Sequence, residues 1–176
     1  KDLRYQQIGF PFIAPSLPVQ ADGVHAKDLS PTFNIRFEAN DDVMFYATAS
    51  RGFKSGGWNV DNITDPAITN FNQLRFLDES IWNYEGGLKS QFLDRKITFN
   101  LSAFYQKYSD IQTPQLTPVL GGGGAVVAIV TNAASADIKG FEAELTAKPF
   151  DVLALNGSLG YTKATYSRYR DGVKDF

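Results

Sequence analysis

Three features of the 176-residue sequence predict an all-β fold, an antiparallel up-and-down sheet of the kind that walls a transmembrane β-barrel. Apolar and polar residues alternate with a period of two, through stretches longer than the roughly five or six residues of a typical soluble strand. Tight turns and long loops follow one another in strict alternation along the chain. Aromatic residues make up 14 % of the sequence, with 14 Phe and 8 Tyr, a composition that suits strands.

Residues 1–29 carry no sustained period, and Pro11, Pro15 and Pro18 interrupt any strand interior, so this stretch is predicted to be a long loop. Residues 30–166 then read as a meander of about six strands. The first runs from Pro31 to Ala39, with Phe33, Ile35 and Phe37 on one face and Asn34, Arg36 and Glu38 on the other. Asn40, Asp41 and Asp42 make the turn, because short polar side chains bond nearby backbone groups there. The second strand, Val43 to Lys54, sets Val43, Phe45, Ala47, Ala49 and Phe53 on the apolar face, where Arg51 is a blemish. It loses its period at Ser55, Gly56 and Gly57, and residues 59–76 read as a polar loop.

The clearest unit spans Ile81 to Thr113, two strands joined by a tight turn at Leu93, Asp94 and Arg95. Trp82, Tyr84, Leu88 and Phe92 share one face with Ile97, Phe99, Leu101, Ala103 and Tyr105. Asn83, Glu85, Lys89 and Gln91 share the other with Thr98, Asn100, Ser102 and Gln106. Pro114, Pro118 and the glycines Gly121 to Gly124 predict a second long loop over 114–125. The fifth strand, Val126 to Lys148 with a bend, opposes Phe141, Ala143, Leu145 and Ala147 to Glu142, Glu144 and Thr146. After a turn at 149–151 the sixth, Val152 to Tyr166, opposes Leu153, Leu155, Leu159 and Tyr161 to Asn156, Ser158 and Thr162. Residues 167–176 read as loop.

In an antiparallel meander every second connection lies at the same end. All the tight turns therefore gather at one end and all the long loops at the other, as in outer-membrane barrels with short periplasmic turns and longer outer loops. Trp82, Phe53, Tyr105 and Tyr161 fall toward the long-loop ends, and Phe92 toward the turn end, where interfacial aromatic girdles are expected. The polar face, with Arg36, Glu38, Glu85, Lys89, Glu142 and Glu144, is then the lumen side. A one-residue slip would aim these charges at lipid.

Composition excludes several classes. A formal net charge of −2 without basic runs leaves no footprint for nucleic acid, and the absence of cysteine removes disulfides, thiolate metal sites and cysteine nucleophiles. No stretch approaches the ~20 apolar residues of a membrane helix. No charged n-region followed by an apolar core opens the chain, and six strands are fewer than the ~8 of the smallest usual barrels, so an internal portion of a larger protein is expected.

Several segments together resemble the barrel of TonB-dependent outer-membrane receptors. They are Ser30 to Asn59, with Ser50-Arg51-Gly52-Phe53-Lys54-Ser55-Gly56-Gly57; Glu79 to Lys89, with Asn83-Tyr84-Glu85; Ala103-Phe104-Tyr105 followed by Asp110-Ile111-Gln112; and Asn132 to Ala136 with Lys139-Gly140-Phe141-Glu142. The resemblance implies a barrel of about 22 strands with a plug inside it, of which residues 1–176 form part of the wall. It further implies a place in the outer membrane of a Gram-negative bacterium and energised uptake of a scarce small-molecule nutrient, such as a ferric siderophore. The implied partners are the lipid bilayer, the plug of the same protein, and TonB.

The residues offer no catalytic, cofactor or metal site. A single histidine, His25, cannot build a triad or a multi-histidine centre. Glu142 and Glu144 share a face and could imitate a glycosidase pair, but like charges on the neighbouring strands make them part of a charged wall. The glycine run lacks the lysine and helix of a phosphate loop, and Asp61, Asp65 and Asp78 are too scattered for calcium. Gly140, Gly157 and Gly160 are expected at bulges or beside large neighbours. Trp58 is the candidate ligand-contacting aromatic. A passive porin shares the same pattern, and a soluble β-sandwich binding module would bury the apolar face under a second sheet.

Overall fold

The computed structural model describes residues 2–5, 20–23, 28–60, 71–118 and 126–170. Its strands are β1 (Asp2–Tyr5), β2 (Gln20–Gly23), β3 (Thr32–Asn40), β4 (Val43–Lys54), β5 (Gly57–Trp58), β6 (Arg75–Phe76), β7 (Glu79–Phe92), β8 (Ile97–Pro118), β9 (Val126–Phe150) and β10 (Leu153–Tyr169). Six of them form one antiparallel sheet in the order β10-β9-β8-β7-β4-β3, so each neighbours its successor in the meander. His25, the glycine run 121–124, Asp61 and Asp65 lie outside the described residues.

The ladder registers put the two faces where period two requires. One row reads Phe37, Phe45, Leu88, Leu101, Ala143 and Leu159 across the six strands, and the next toward the long loops reads Ile35, Ala47, Gly86, Ala103, Phe141 and Tyr161. On the opposite face Arg36, Tyr46, Gly87, Ser102, Glu142 and Gly160 form one row. No second sheet covers the apolar face among the described residues. Phe33, Ile35 and Phe37 are 66 %, 70 % and 64 % exposed. A β-sandwich would bury such a face against a sheet about 10 Å away, and the described residues supply none.

The turn end is built from local chemistry. Asn40 Oδ1 accepts the Asp42 N–H at 2.9 Å, the side-chain turn expected of Asn and Asp. Between β7 and β8, Leu93, Asp94 and Arg95 all take positive φ, at 53°, 54° and 63°, and the Lys96 N–H returns to the Leu93 carbonyl at 3.1 Å. Left-handed dihedrals cost roughly 1–2 kcal/mol per non-glycine residue, a strain that the long ladder on either side offsets.

The structure departs from the sequence expectations at six places. β9 runs on to Phe150, into the expected turn at 149–151, and β10 runs on to Tyr169, into the loop expected over 167–176. The 1–29 loop contains a small ladder, β1 on β2, whose four-residue strands are too short to show a period. The 59–76 loop includes β6, which closes on β5. β8 does not stop before Pro114; it runs to Pro118, with Pro114 opposite Val130. Beyond Ser109 it pairs with β9 alone, so it is an edge there and tolerates residues without an N–H. Finally, Gly140 does sit beside a large neighbour, but Gly157 has open space and Gly160 only an ordinary contact with Glu142, and no register shift falls at either.

The blemish at Arg51 has a structural cause. Its guanidinium pairs with Asp28 and also donates to the Leu29 carbonyl at 3.0 Å. The hydrogen bond from Arg51 holds the Asp28 carboxyl below its ordinary range. The pair is therefore formed above the normal carboxylate range and is lost only as pH falls through the lowered value.

Candidate functional site

The six charged residues assigned to the polar face do share it. Arg36 and Glu38 pair on β3 at 3.4 Å, with both side chains about two-thirds exposed. Glu85 lies opposite Thr48 and Phe104, and Lys89 lies opposite Met44 and Asn100. Glu142 and Glu144 follow on β9 opposite Ser102 and Asn100. The Asn100 amide comes within 3.5 Å of Glu144.

Tyr46 organises the centre of this face, and sequence reasoning missed it. Its hydroxyl donates to Glu85 at 2.7 Å, and the Lys89 ammonium sits 5.8 Å from its ring centroid, a cation–π approach. The ring lies over Gly87, where a Cβ would come within 2.5 Å of it. An even-numbered residue on β4 must face Glu85 and Lys89; that parity was the available signal. One tyrosine thus ties β4 to two charges of β7.

A recess opens at the long-loop end of the same face. Its lining includes Lys54, Glu79, Tyr108, Gln112, Ile138 and Tyr166. Lys54 and Glu79 stand directly opposite each other in the ladder. Above the recess, three amides hold the segment between β4 and β7 against β8 and β9. Gln112 Nε2 donates to the Ser55 and Leu77 carbonyls, each at 3.1 Å, and the Gln112 N–H donates to Glu79 at 2.8 Å. Asn132 accepts the Leu77 N–H at 2.6 Å and donates to the carbonyls of Leu77 and Asp110 at 2.9 and 2.8 Å. Asn59 donates to the carbonyls of Leu74 and Val130 at 3.1 and 2.9 Å and accepts the Val130 N–H at 2.7 Å. Side-chain amides suit this task because each can imitate a backbone strand partner.

Close approach of the chain makes the clamp possible. At Gly56 a Cβ would stand 2.3 Å from the Phe76 carbonyl oxygen, and the Gly56 N–H donates to Asp78 at 2.6 Å. Ala133, Ala134 and Ala136 are buried at 3 %, 0 % and 7 % exposure, as is Leu74 at 3 %, so the small-residue run of β9 and the residue before β6 supply a local core.

Trp58 is part of this upper region, not of the charged face. It pairs with Arg75, is half-buried, and its indole N–H is buried without a hydrogen-bond partner among the described residues. The structure therefore separates Trp58 from the six charged residues and brings it to the level of the clamp.

On the opposite face the aromatic residues form a belt. Trp82 stacks on Tyr84 with centroids 5.8 Å apart, Tyr84 on Tyr105 at 6.4 Å, and Phe141 on Tyr161 at 6.0 Å. These rings lie at the long-loop ends of the apolar rows, the place of an interfacial girdle.

The TonB dependent receptor-like β-barrel family matches residues 3–175 of the chain. Among solved structures, the ferric yersiniabactin uptake receptor FyuA of Yersinia pestis is similar at 17 % identity with a TM-score of 0.59, over 85 % of this chain and 20 % of that one. The alcaligin outer membrane receptor FauA of Bordetella pertussis is similar at 14 % identity with a TM-score of 0.51, over 94 % of this chain and 26 % of that one. The chain thus spans about a fifth to a quarter of the solved chains it matches, and at these identities the likeness is one of fold.

Proposed function

Because the chain belongs to the TonB-dependent receptor β-barrel family, whose members are outer-membrane receptors and not enzymes, we propose that it forms part of the wall of a transporter that takes up a scarce nutrient such as a ferric siderophore. The observation that carries this reading is the family match along nearly the whole chain, joined to a sheet with one apolar face and one charged face. The apolar face meets lipid. The face bearing Arg36, Glu38, Glu85, Lys89, Glu142 and Glu144 meets the plug of the full-length protein, and TonB supplies the energy from the inner membrane. The clamped segment carrying Trp58 lies at the outer mouth, where a nutrient first arrives.

Uptake of a radiolabelled ferric siderophore by cells producing the full-length receptor tests the reading. Accumulation should vanish in TonB-deficient cells. Equal accumulation with and without TonB would mean a passive porin. In the same full-length protein Trp58→Ala should weaken binding of the transported ligand about tenfold, the scale on which a buried aromatic contact is lost, with barrel assembly unchanged. Unaltered affinity would remove Trp58 from the ligand site.

A further inference from the structure

We propose that the β5–β6 pair is a latched flap, held on β9 by Asn59 and Asn132 and able to swing off as one unit while the six-stranded wall stays closed. The two strands form a sheet of their own, separate from the wall. They are joined to it by a reciprocal grip. Asn59, just after β5, accepts the Val130 N–H at 2.7 Å and donates to the Val130 carbonyl at 2.9 Å. Asn132, two residues along β9, accepts the N–H of Leu77, just after β6, at 2.6 Å and donates to its carbonyl at 2.9 Å. Each amide thus grips both backbone groups of one residue on the other side, as the peptide of a neighbouring strand would. Pro114 leaves room for the first grip, since it lies opposite Val130 and has no N–H to give the Val130 carbonyl.

The joint differs from the wall in what must break for it to open. Between β8 and β9 the ladder runs from Ile97 to Pro118, so parting those strands breaks backbone bonds along their length. The flap leaves when a few side chains let go: the two asparagines, and Gln112 Nε2, which adds a bond to the same Leu77 carbonyl at 3.1 Å. Apolar burial adds little. Of residues 55–60 and 72–78 only Leu74 is buried, at 3 % exposure. Few buried apolar contacts, and docking bonds made by side chains, are the marks of a segment that opens locally. The base of the flap is fixed by the Gly56 N–H, which donates to Asp78 at 2.6 Å and keeps its two stems together beside the ends of β4 and β7.

What the flap carries is Trp58. The ring sits between the two grips, paired with Arg75, with its indole N–H buried. Closed, the flap stows that N–H; open, it presents ring and N–H to the mouth of the barrel. The device rests on the fold and is independent of the nutrient transported.

Hydrogen exchange of the full-length receptor in detergent, read by mass spectrometry at single residues, tests it. In the wild-type protein the Val130 and Leu77 amides should exchange at least about a hundredfold faster than those of Leu101 and Ala143 in the wall. Asn59→Ala removes three side-chain bonds, two to Val130 and one to Leu74. At about fivefold each, the flap should open on the order of a hundredfold more readily. The increase should appear at Leu77 as well as at Val130, although Leu77 is gripped by Asn132. Asn132→Ala should do the converse and speed exchange at Val130. Leu101 and Ala143 should not change in either. Heat-modifiable mobility on a gel reports assembly, and if a variant does not assemble, the wild-type comparison decides alone. Equal protection of flap and wall in the wild-type protein, or an increase confined in each variant to the residues its own asparagine had gripped, would overturn the proposal.

Discussion

Replacing Leu101 by Lys should lower the stability of the membrane-inserted barrel by about 2–4 kcal/mol, the cost of a basic residue near the midplane on a lipid-facing position. Leu101 lies between Leu88 and Ala143 in the middle of the apolar rows. The adjacent change, Ser102→Lys, should alter stability by less than about 0.5 kcal/mol, since Ser102 lies on the polar face between Gly87 and Glu142. Urea titration of the full-length protein refolded into phospholipid vesicles measures both. A reversed order would mean that the strands are slipped by one residue, since that single shift exchanges the faces everywhere.

Gly140→Ala should destabilise the barrel by about 1–3 kcal/mol or more, although it adds only a methyl group. That methyl would stand 2.1 Å from the Tyr161 carbonyl oxygen and 2.7 Å from the Phe104 ring. The ring could turn aside. The carbonyl belongs to β10 and can yield only by opening the ladder at Thr162. Gly157→Ala, seventeen residues on, meets nothing within 4 Å and should be neutral or stabilising by up to about 1 kcal/mol, chiefly by restricting the unfolded chain. Vesicle unfolding of the two variants side by side decides it. Equal effects would show that the close approach of β9 and β10 at Gly140 carries no weight. Adding Phe104→Leu should not rescue Gly140→Ala, because the backbone oxygen remains.

Much of the wall was legible because its information is local. Phe45, Ala47 and Ala49 announce their face by their spacing alone, and the ladder then places them beside Leu88, Gly86 and Tyr84 as that spacing requires. The same parity placed Arg36, Glu38, Glu85, Lys89, Glu142 and Glu144 together on the other side. Arg51 was visible only as an exception. Its partner Asp28 lies before β3, in a stretch without periodicity, and nothing in the order of residues brings the two together. Pro114 misled for a related reason: a proline ends a strand only where its missing N–H is needed, and whether β8 has one neighbour or two at that height depends on where β7 begins.

The clamp shows the same division. Gln112, Asn132 and Asn59 are ordinary polar residues in the chain, and only the fold carries the backbone at Ser55, Leu77 and Val130 to their amides. The sequence by itself determined the fold class, the identity of the two faces and the sorting of turns from loops, because a period of two is a property of consecutive residues. Tertiary structure alone decided the register, the strand edges, the partners of Arg51 and the amides that anchor the outer segment, because these depend on contacts between residues far apart in the chain.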